Sequence, residues 1–347
     1  MSAWERKLDE YGLKIEEKLT GMLQDEIEGA LAYHPFIGEL YKDLSEYITR
    51  KGKRLASCST LLTYRGFGKK IDGRILTVCA GIELYRHAIL VHDDLVDDDP
   101  VRRGGHSIHN KYSQIKDKPY GEGVAVFAGN LLYTLALKAF TSSGFESGRI
   151  LQAMIVLNDA FRAVNESQLL DLLFGYAKPD VKEWYVMASR RAASLFNASL
   201  IIGGLLANAP PRDLQLLREA AEHMGYCFDI QDDIIDTFAS EEEYGRKPGG
   251  DLLKHKKPLH IVYTYALADK SQLNAFERLV KMDTAESLSK VRAILSNCGA
   301  LEAAKNRSRQ HAESAKNLIA ETKMNREVKA FFTDFIDYVK DSLNWYQ

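Results

Sequence analysis

Nowhere along this chain do apolar residues alternate convincingly at period two; they recur instead at three-and-four spacing. Leu76, Cys79, Ala80, Leu84, Ala88 and Val91 follow that rule, as do Leu214, Leu217, Ala221, Met224, Phe228 and Ile235. Proline, the residue least tolerated inside a helix, occurs only eight times, at Pro35, Pro100, Pro119, Pro179, Pro210, Pro211, Pro248 and Pro258. These prolines fall between the periodic stretches, so long helices joined by short Pro, Gly and Asn turns are expected, an all-α bundle. Segments 75–98, 121–141 and 150–173 are apolar on more than one face, which places them at the centre of the bundle. No composition break marks a linker and no repeat has a fixed period, so residues 1–347 read as a single domain.

Charge excludes some roles. With 46 basic against 48 acidic residues the net charge is −2, without the basic excess of a general nucleic-acid binder. Cys58, Cys79, Cys227 and Cys298 are far apart, a spacing that suits buried thiols in a reducing compartment better than a disulfide framework or a metal cluster. Residues 1–18 carry charges throughout and have no apolar core. No run approaches the roughly 20 uninterrupted apolar residues that span a bilayer, since the best, 194–209, contains Asn197 and Asn208. The expectation is a cytoplasmic protein with no stable membrane insertion.

The most informative segment is Leu90-Val91-His92-Asp93-Asp94-Leu95-Val96-Asp97, followed by Arg102 and Arg103. On a helix Asp93 and Asp97 lie one turn apart and point the same way, with Asp94 beside them. Carboxylates so close repel one another, and after an apolar run they are costly unless a cation neutralises them. A solvated acidic helix end would explain one such cluster. It does not explain the second copy, Phe228-Asp229-Ile230-Gln231-Asp232-Asp233-Ile234-Ile235-Asp236, inside a strongly apolar helix. Magnesium takes hard oxygen ligands and usually bridges one or two carboxylates to substrate phosphates. Two clusters on one pocket could therefore hold several ions around one diphosphate. Arg102 and Arg103 after the first cluster, with Arg246, Lys247 and Lys256 after the second, would complete the cage. A diphosphate neutralised in this way is a good leaving group, and its departure leaves a carbocation.

In these motifs the sequence resembles the trans-isoprenyl diphosphate synthases. The first match is DDxxDxxxxRRG at residues 93–104, with His109 following at the family's spacing. The second is FxxxDDxxD at 228–236, followed by the loop Gly245-Arg246-Lys247-Pro248-Gly249-Gly250-Asp251 and Lys256. Gln168-Leu169-Leu170-Asp171 is similar to the family's QxxD helix, and Gly52-Lys53-Arg54-Leu55 to its GKRL start. The resemblance covers residues 50–260 and implies an isoprenoid synthase-type helical bundle with a deep central pocket, usually a homodimer. It further implies that Asp93, Asp94, Asp97, Asp232, Asp233 and Asp236 bind Mg²⁺, about three ions per active site. An allylic prenyl diphosphate would bind through these ions and through Arg102 and Lys256, with Gln168, His109 and Lys247 nearby. Isopentenyl diphosphate would bind beside it through Gly52, Lys53 and Arg103. Asp93, Asp94, Asp97, Asp232 and Lys256 would then carry catalysis.

Four departures from the family pattern cluster on the homoallylic side or at the reacting end. Ala56 stands where GKRLRP has its second arginine, Arg86 where a histidine precedes the first aspartate by seven, and Asp229 where the FQ pair has glutamine. Arg191-Ala192 stands for the KT pair. In one explanation Arg86 and Arg54 restore the charge that Ala56 lacks. In the other the isopentenyl diphosphate site is lost or re-purposed, and the enzyme cyclises its substrate as class I terpene synthases do, or uses another acceptor. A third reading is a partner subunit without turnover. Retention of Lys53, Arg103 and Lys256 favours the first.

Family likeness also gives a length expectation. The growing tail would run along the helix of the first cluster, past Ala88 and towards Tyr85, which differ by roughly 4.5 Å in depth at ~1.5 Å per residue. Ala88 lets a tail pass, Ile89 is of medium bulk and Tyr85 acts as a floor, which implies a product of about twenty to twenty-five carbons at that rise. His87, His92, His106 and His109 cluster around the first motif and could suggest zinc, but no cysteine accompanies them and carboxylates prefer harder ions. Glu241, Glu242 and Glu243 read as a solvated charge run.

Overall fold

The computed structural model describes residues 2–244 and 247–342. It divides into two compact units, residues up to 155 with 202–209, and residues 156–201 with 210 onward.

The first unit contains α1 (Ala3–Tyr33), α2 (Pro35–Thr49), α3 (Leu55–Gly66) and α4 (Gly73–Val96), then the two short strands β1 (Val101–Arg102) and β2 (Gly105–His106). After them come α5 (Ile108–Ser113) and α6 (Lys118–Thr141). Local chemistry sets the helix starts. Ser2 and Glu5 form a capping box on α1, Asp72 accepts from the amides of Arg74 and Ile75 at α4, and Asp117 accepts from Tyr120 N–H at α6. Helix α4 is buried along nearly its whole length, which agrees with its lack of a polar face. It packs closely on α6 because small residues meet there: a Cβ at Gly81 would lie 3.0 Å from Ala139 and Phe140, and one at Gly129 would strike the His92 ring. The hairpin departs from an otherwise helical pattern through its backbone geometry. Arg103 and Gly104 both have positive φ, 50° and 79°, as a two-residue turn of type I′ requires.

Helix α7 (Ser147–Phe174) has its residues up to 155 in the first unit. Helix α8 (Val181–Ala192), the π-helical turn Ala193–Asn197 and α9 (Ala198–Ala207) follow, with α9 from Ile202 onward again belonging to the first unit. The second unit is completed by α10 (Pro211–Phe238), α11 (Glu241–Tyr244), α12 (Gly250–Leu253), α13 (Leu259–Leu267), α14 (Lys270–Leu279), α15 (Ala285–Asn297), α16 (Ala300–Glu321) and α17 (Arg326–Val339). One apolar cluster joins Trp184 and Met187 of α8 to Ile230 and Ile234 of α10, Leu259 of α13 and Ala304 of α16. A second gathers α12 to α16 around Phe276 and Leu295. Both clusters form as amphipathic helices bury one stripe each, about 1.5–3 kcal/mol per large side chain.

The sequence suggests no membrane-spanning run, yet α4 and α6 are each long and apolar enough to cross a bilayer by length and composition. A strict apolar run misses them because scattered His, Tyr, Asn and Thr interrupt it. Most of α4 is buried within its unit, whereas α6 leaves Val126 and Phe127 exposed. The four cysteines are free thiols.

Candidate active site

The first acidic cluster ends α4, where backbone hydrogen bonds to carbonyls are running out. Asp94 is completely buried and accepts from Tyr47 Oη at 2.6 Å and from Arg102 Nε at 2.5 Å. The Arg102 guanidinium also pairs with Asp93 at 3.2 Å, so one cation holds two carboxylates. Burial, reinforced by the charge of Asp93, pushes the Asp94 carboxyl above its usual range in spite of Arg102 and Tyr47. Tyr47 is itself held protonated, since burial and then Asp94 raise it far above the ordinary phenol, so it acts as a neutral donor. Asp97 caps α4, its amide donating to Asp93 O at 2.8 Å. The next residue, Asp98, turns left-handed at φ 52° and pairs with Lys118 at 3.1 Å.

The hairpin that carries Arg102 and Arg103 is held from below. Arg50 donates to the carbonyls of Arg102 at 2.9 Å and His106 at 3.0 Å. A Cβ at Gly105 would lie 2.4 Å from the Arg50 guanidinium, so only glycine lets this clamp close. Tyr47 and Arg50 both escape sequence reasoning. Arg50 is adjacent to the GKRL segment, which was the available signal, whereas Tyr47 has none beyond its burial.

The GKRL segment splits in function. Arg54 starts α3 in the left-handed region at φ 46° and points inward, donating to Glu16 at 2.7 Å and to the buried Glu83 at 3.1 Å. Its charge is thus paired with two carboxylates inside the unit. Arg86, half-buried on α4, makes no hydrogen bond or ion pair among the described residues, and its charge is available. Burial lowers the Lys53 ammonium, against the charges of Glu5 and Asp9 on α1. Gly52 lies against Arg103: a Cβ there would come within 2.6 Å of the guanidinium carbon. His109 is buried behind the hairpin, with Nδ1 3.2 Å from Ser107 Oγ and Nε2 3.6 Å from Asp98. Ala88 is fully buried, and the buried Tyr85 ring lies 6.5 Å from that of Tyr133 on α6.

The second cluster lies on the last turns of α10. Arg191, two residues before the π-helical segment, donates to Asp229 at 3.2 Å and to Asp233 at 3.4 Å. π turns often mark functional positions, and no sequence signal announced this one. Burial raises the Asp233 carboxyl well above its ordinary value, and the charges of Asp251, Asp229 and Asp232 add to that effect against the pull of Arg191. The loop after the helix folds back on the cluster. Gly249 N–H donates to the Asp236 carbonyl at 2.7 Å and Asp251 N–H to the Asp236 carboxylate at 3.2 Å. Gly249 has φ 83°, a conformation suited to glycine. Lys256 sits 3.7 Å from Asp251, and Asp171 and Gln168 belong to the preceding helix α7. Lys247 instead makes an exposed pair with Asp283 at 2.5 Å. Arg246 and the side chain of Ala192 lie outside the described residues.

Among the described residues no three His, Cys, Asp or Glu side chains converge into a closed metal cage. The donor set still fits magnesium. Its members are carboxylate oxygens, and this ion usually takes one or two from protein and the rest from phosphate and water. In each cluster a buried acid is shifted towards its neutral form by burial and by like charges, the electrostatic condition that a divalent cation relieves.

Comparison with known proteins adds to this geometry. The family model described as polyprenyl synthetase matches residues 38–298. The chain is 30% identical over 286 residues to geranylgeranyl diphosphate synthase of Methanosarcina mazei, covering 80% of this chain and 82% of that one. It is 28% identical over 294 residues to geranylfarnesyl diphosphate synthase of Aeropyrum pernix, covering 83% and 89%. The two names denote products of different length, so kinship alone does not fix chain length. Geranylgeranyl pyrophosphate synthase from Corynebacterium glutamicum, solved in complex with isoprenyl diphosphate and magnesium, has the same fold, with a TM-score of 0.89 over 98% of this chain and 99% of that one at 18% identity. All-α architecture, paired acidic clusters and the match over residues 38–298 agree: this chain belongs to the polyprenyl synthetase family.

Proposed function

We propose that this protein is a Mg²⁺-dependent trans-prenyltransferase. It joins an allylic prenyl diphosphate to isopentenyl diphosphate, giving an all-trans diphosphate longer by one isoprene unit at each turn. The observation that carries this reading is the state of the two clusters: each holds a buried carboxyl that burial, with acidic neighbours adding to it, pushes upward and that is already paired with an arginine. Such a set of groups is arranged for cations and phosphate oxygens. The aspartates at 93, 94, 97, 232, 233 and 236 would hold about three Mg²⁺ ions, in keeping with how this ion shares carboxylates with phosphates. Bound there, Mg²⁺ supplies charge stabilisation for the departing diphosphate.

The chain's own residues do the rest. Arg102 and Lys256 neutralise the leaving diphosphate, Lys53 and Arg103 hold isopentenyl diphosphate by its phosphates, and Arg86 adds charge in place of the missing arginine at Ala56. Arg191 orients the second cluster through Asp229 and Asp233. Ala88 and Tyr85 set the depth available to the tail, which favours products of about twenty to twenty-five carbons at ~1.5 Å per residue along α4. The exposed apolar face of α6 around Val126 and Phe127 supports a homodimer. The free cysteines fit a reducing compartment such as the cytoplasm.

Product analysis by mass, after incubation with Mg²⁺ and geranyl, farnesyl or geranylgeranyl diphosphate, tests the reaction. Longer diphosphates should form only when isopentenyl diphosphate is present. Hydrocarbons or alcohols formed without it would overturn the reading in favour of a cyclase.

A further inference from the structure

Beneath the exposed Arg103 lies a buried histidine, outside both acidic clusters and unused by the reaction as described above. His87 is 1% exposed on α4. Its Nδ1 lies 2.8 Å from the carbonyl oxygen of Glu83, one turn earlier. A carbonyl can only accept, so Nδ1 must carry the proton. In the neutral ring Nε2 then has a free lone pair, and that atom lies 3.4 Å from Arg103 Nη1. The tautomer therefore follows from the geometry: the imidazole accepts from the guanidinium.

Neutrality is enforced by the surroundings. Burial, with the nearby charges of Arg103 and Arg54 adding to it, lowers the His87 ring to about 3 even though Glu83 opposes the shift. A protonated ring would have no lone pair to offer and would repel the arginine.

Glu83 anchors the arrangement. It is 3% exposed, accepts from Ser57 Oγ at 2.6 Å and from Arg54 Nη1 at 3.1 Å, and its carboxylate lies 3.8 Å from His87 Nδ1. Arg54 in turn is fixed by Glu16 of α1 and by the carbonyl of Ile48. On its other side Arg103 rests on the backbone of Gly52, where any Cβ would collide with it. Its own backbone is in the left-handed region, in a hairpin clamped by Arg50. One N–H of the guanidinium is spent on His87. The remaining donors have no acceptor among the described residues, and the side chain is exposed.

We infer that His87, oriented by Glu83, is a positioning residue for Arg103: a neutral imidazole acceptor that aims the guanidinium at the diphosphate of the homoallylic substrate. The inference rests on the reading of Arg103 as an isopentenyl diphosphate ligand, and goes beyond it by naming what fixes that ligand in place.

Three proteins test it: wild type, His87→Leu, which removes the acceptor, and His87→Gln, which restores an acceptor oxygen. His87→Leu should raise KM for isopentenyl diphosphate about tenfold, the effect of losing one hydrogen bond to a charged group, and leave KM for the allylic substrate within about twofold. His87→Gln should recover most of that loss. In parallel, ¹⁵N NMR of the wild-type imidazole should show the neutral ring protonated at Nδ1 and unprotonated at Nε2. This second readout does not depend on turnover or on either variant folding. A ring protonated at Nε2, or equal rises in both KM values, or an isopentenyl diphosphate KM that His87→Leu leaves unchanged, would overturn the inference. Wild-type protein that fails to bind isopentenyl diphosphate would instead overturn the reading on which it rests.

Discussion

Asp94 concentrates the chemistry of the first cluster in one side chain. It is buried, it takes hydrogen bonds from Tyr47 and Arg102, and its carboxyl is shifted upward all the same. Removing the phenol hydroxyl should therefore matter more than its size suggests. Tyr47→Phe should cost about 1–3 kcal/mol, the penalty for stripping a partner from a buried acceptor, measured by denaturant unfolding of the metal-free protein. No change would show that Arg102 alone satisfies the carboxylate. Tyr85 poses the opposite question, since its role is bulk. Tyr85→Ala should lengthen the product by at least one isoprene unit while destabilising the fold by about 3–5 kcal/mol, as large-to-small core changes do. An unaltered product length in mass analysis would remove Tyr85 as the floor. At this scale the sequence showed the acids and bases clearly, because their types and spacings are chemical statements. It could not show which cations already have carboxylate partners: Arg54 pairs with Glu16 and Glu83, and Lys247 with Asp283. Such partners lie far away in sequence and leave no local signal.

Between elements, the helices α4, α6, α7 and α10 were legible from period and punctuation, with ends displaced by a few residues. Ends depend on caps such as Asp72 and Asp117, which compete with neighbouring residues of similar capping strength. The hairpin at Arg103-Gly104 and the π turn at 193–197 were not legible, since each is a backbone event of a few residues with no periodic signature. Contacts between elements also set the pH response. His260 of α13 is fully buried, bonds to Thr237 of α10 at 2.9 Å, and is lowered by burial from 6.5 to about 4. The unfolded chain takes up this proton between those values and the folded one does not. Stability is therefore fully present above pH 6.5 and is lost as pH falls towards 4, by about 3 kcal/mol for this group at ~1.36 kcal/mol per unit. Denaturant melts across that range should show the slope, and His260→Gln should flatten it. A variant with an undiminished slope would assign the effect to other groups.

For the whole molecule, fold class and family were readable because two DDxxD motifs at this separation in a helical chain are specific. The family model spanning residues 38–298 agrees with the stretch the motifs mark out. What no motif states is how many diphosphates the two clusters serve, and the mechanism turns on that number. Isothermal titration with an unreactive allylic thiolodiphosphate in Mg²⁺ measures it directly. The account predicts one ligand per chain in the wild type, and loss of binding by about a hundredfold or more in both Asp93→Asn/Asp94→Asn and Asp232→Asn/Asp233→Asn, as expected when groups acting on one charge are removed. Two ligands per chain, or a variant that keeps full affinity while the other cluster is disabled, would contradict it.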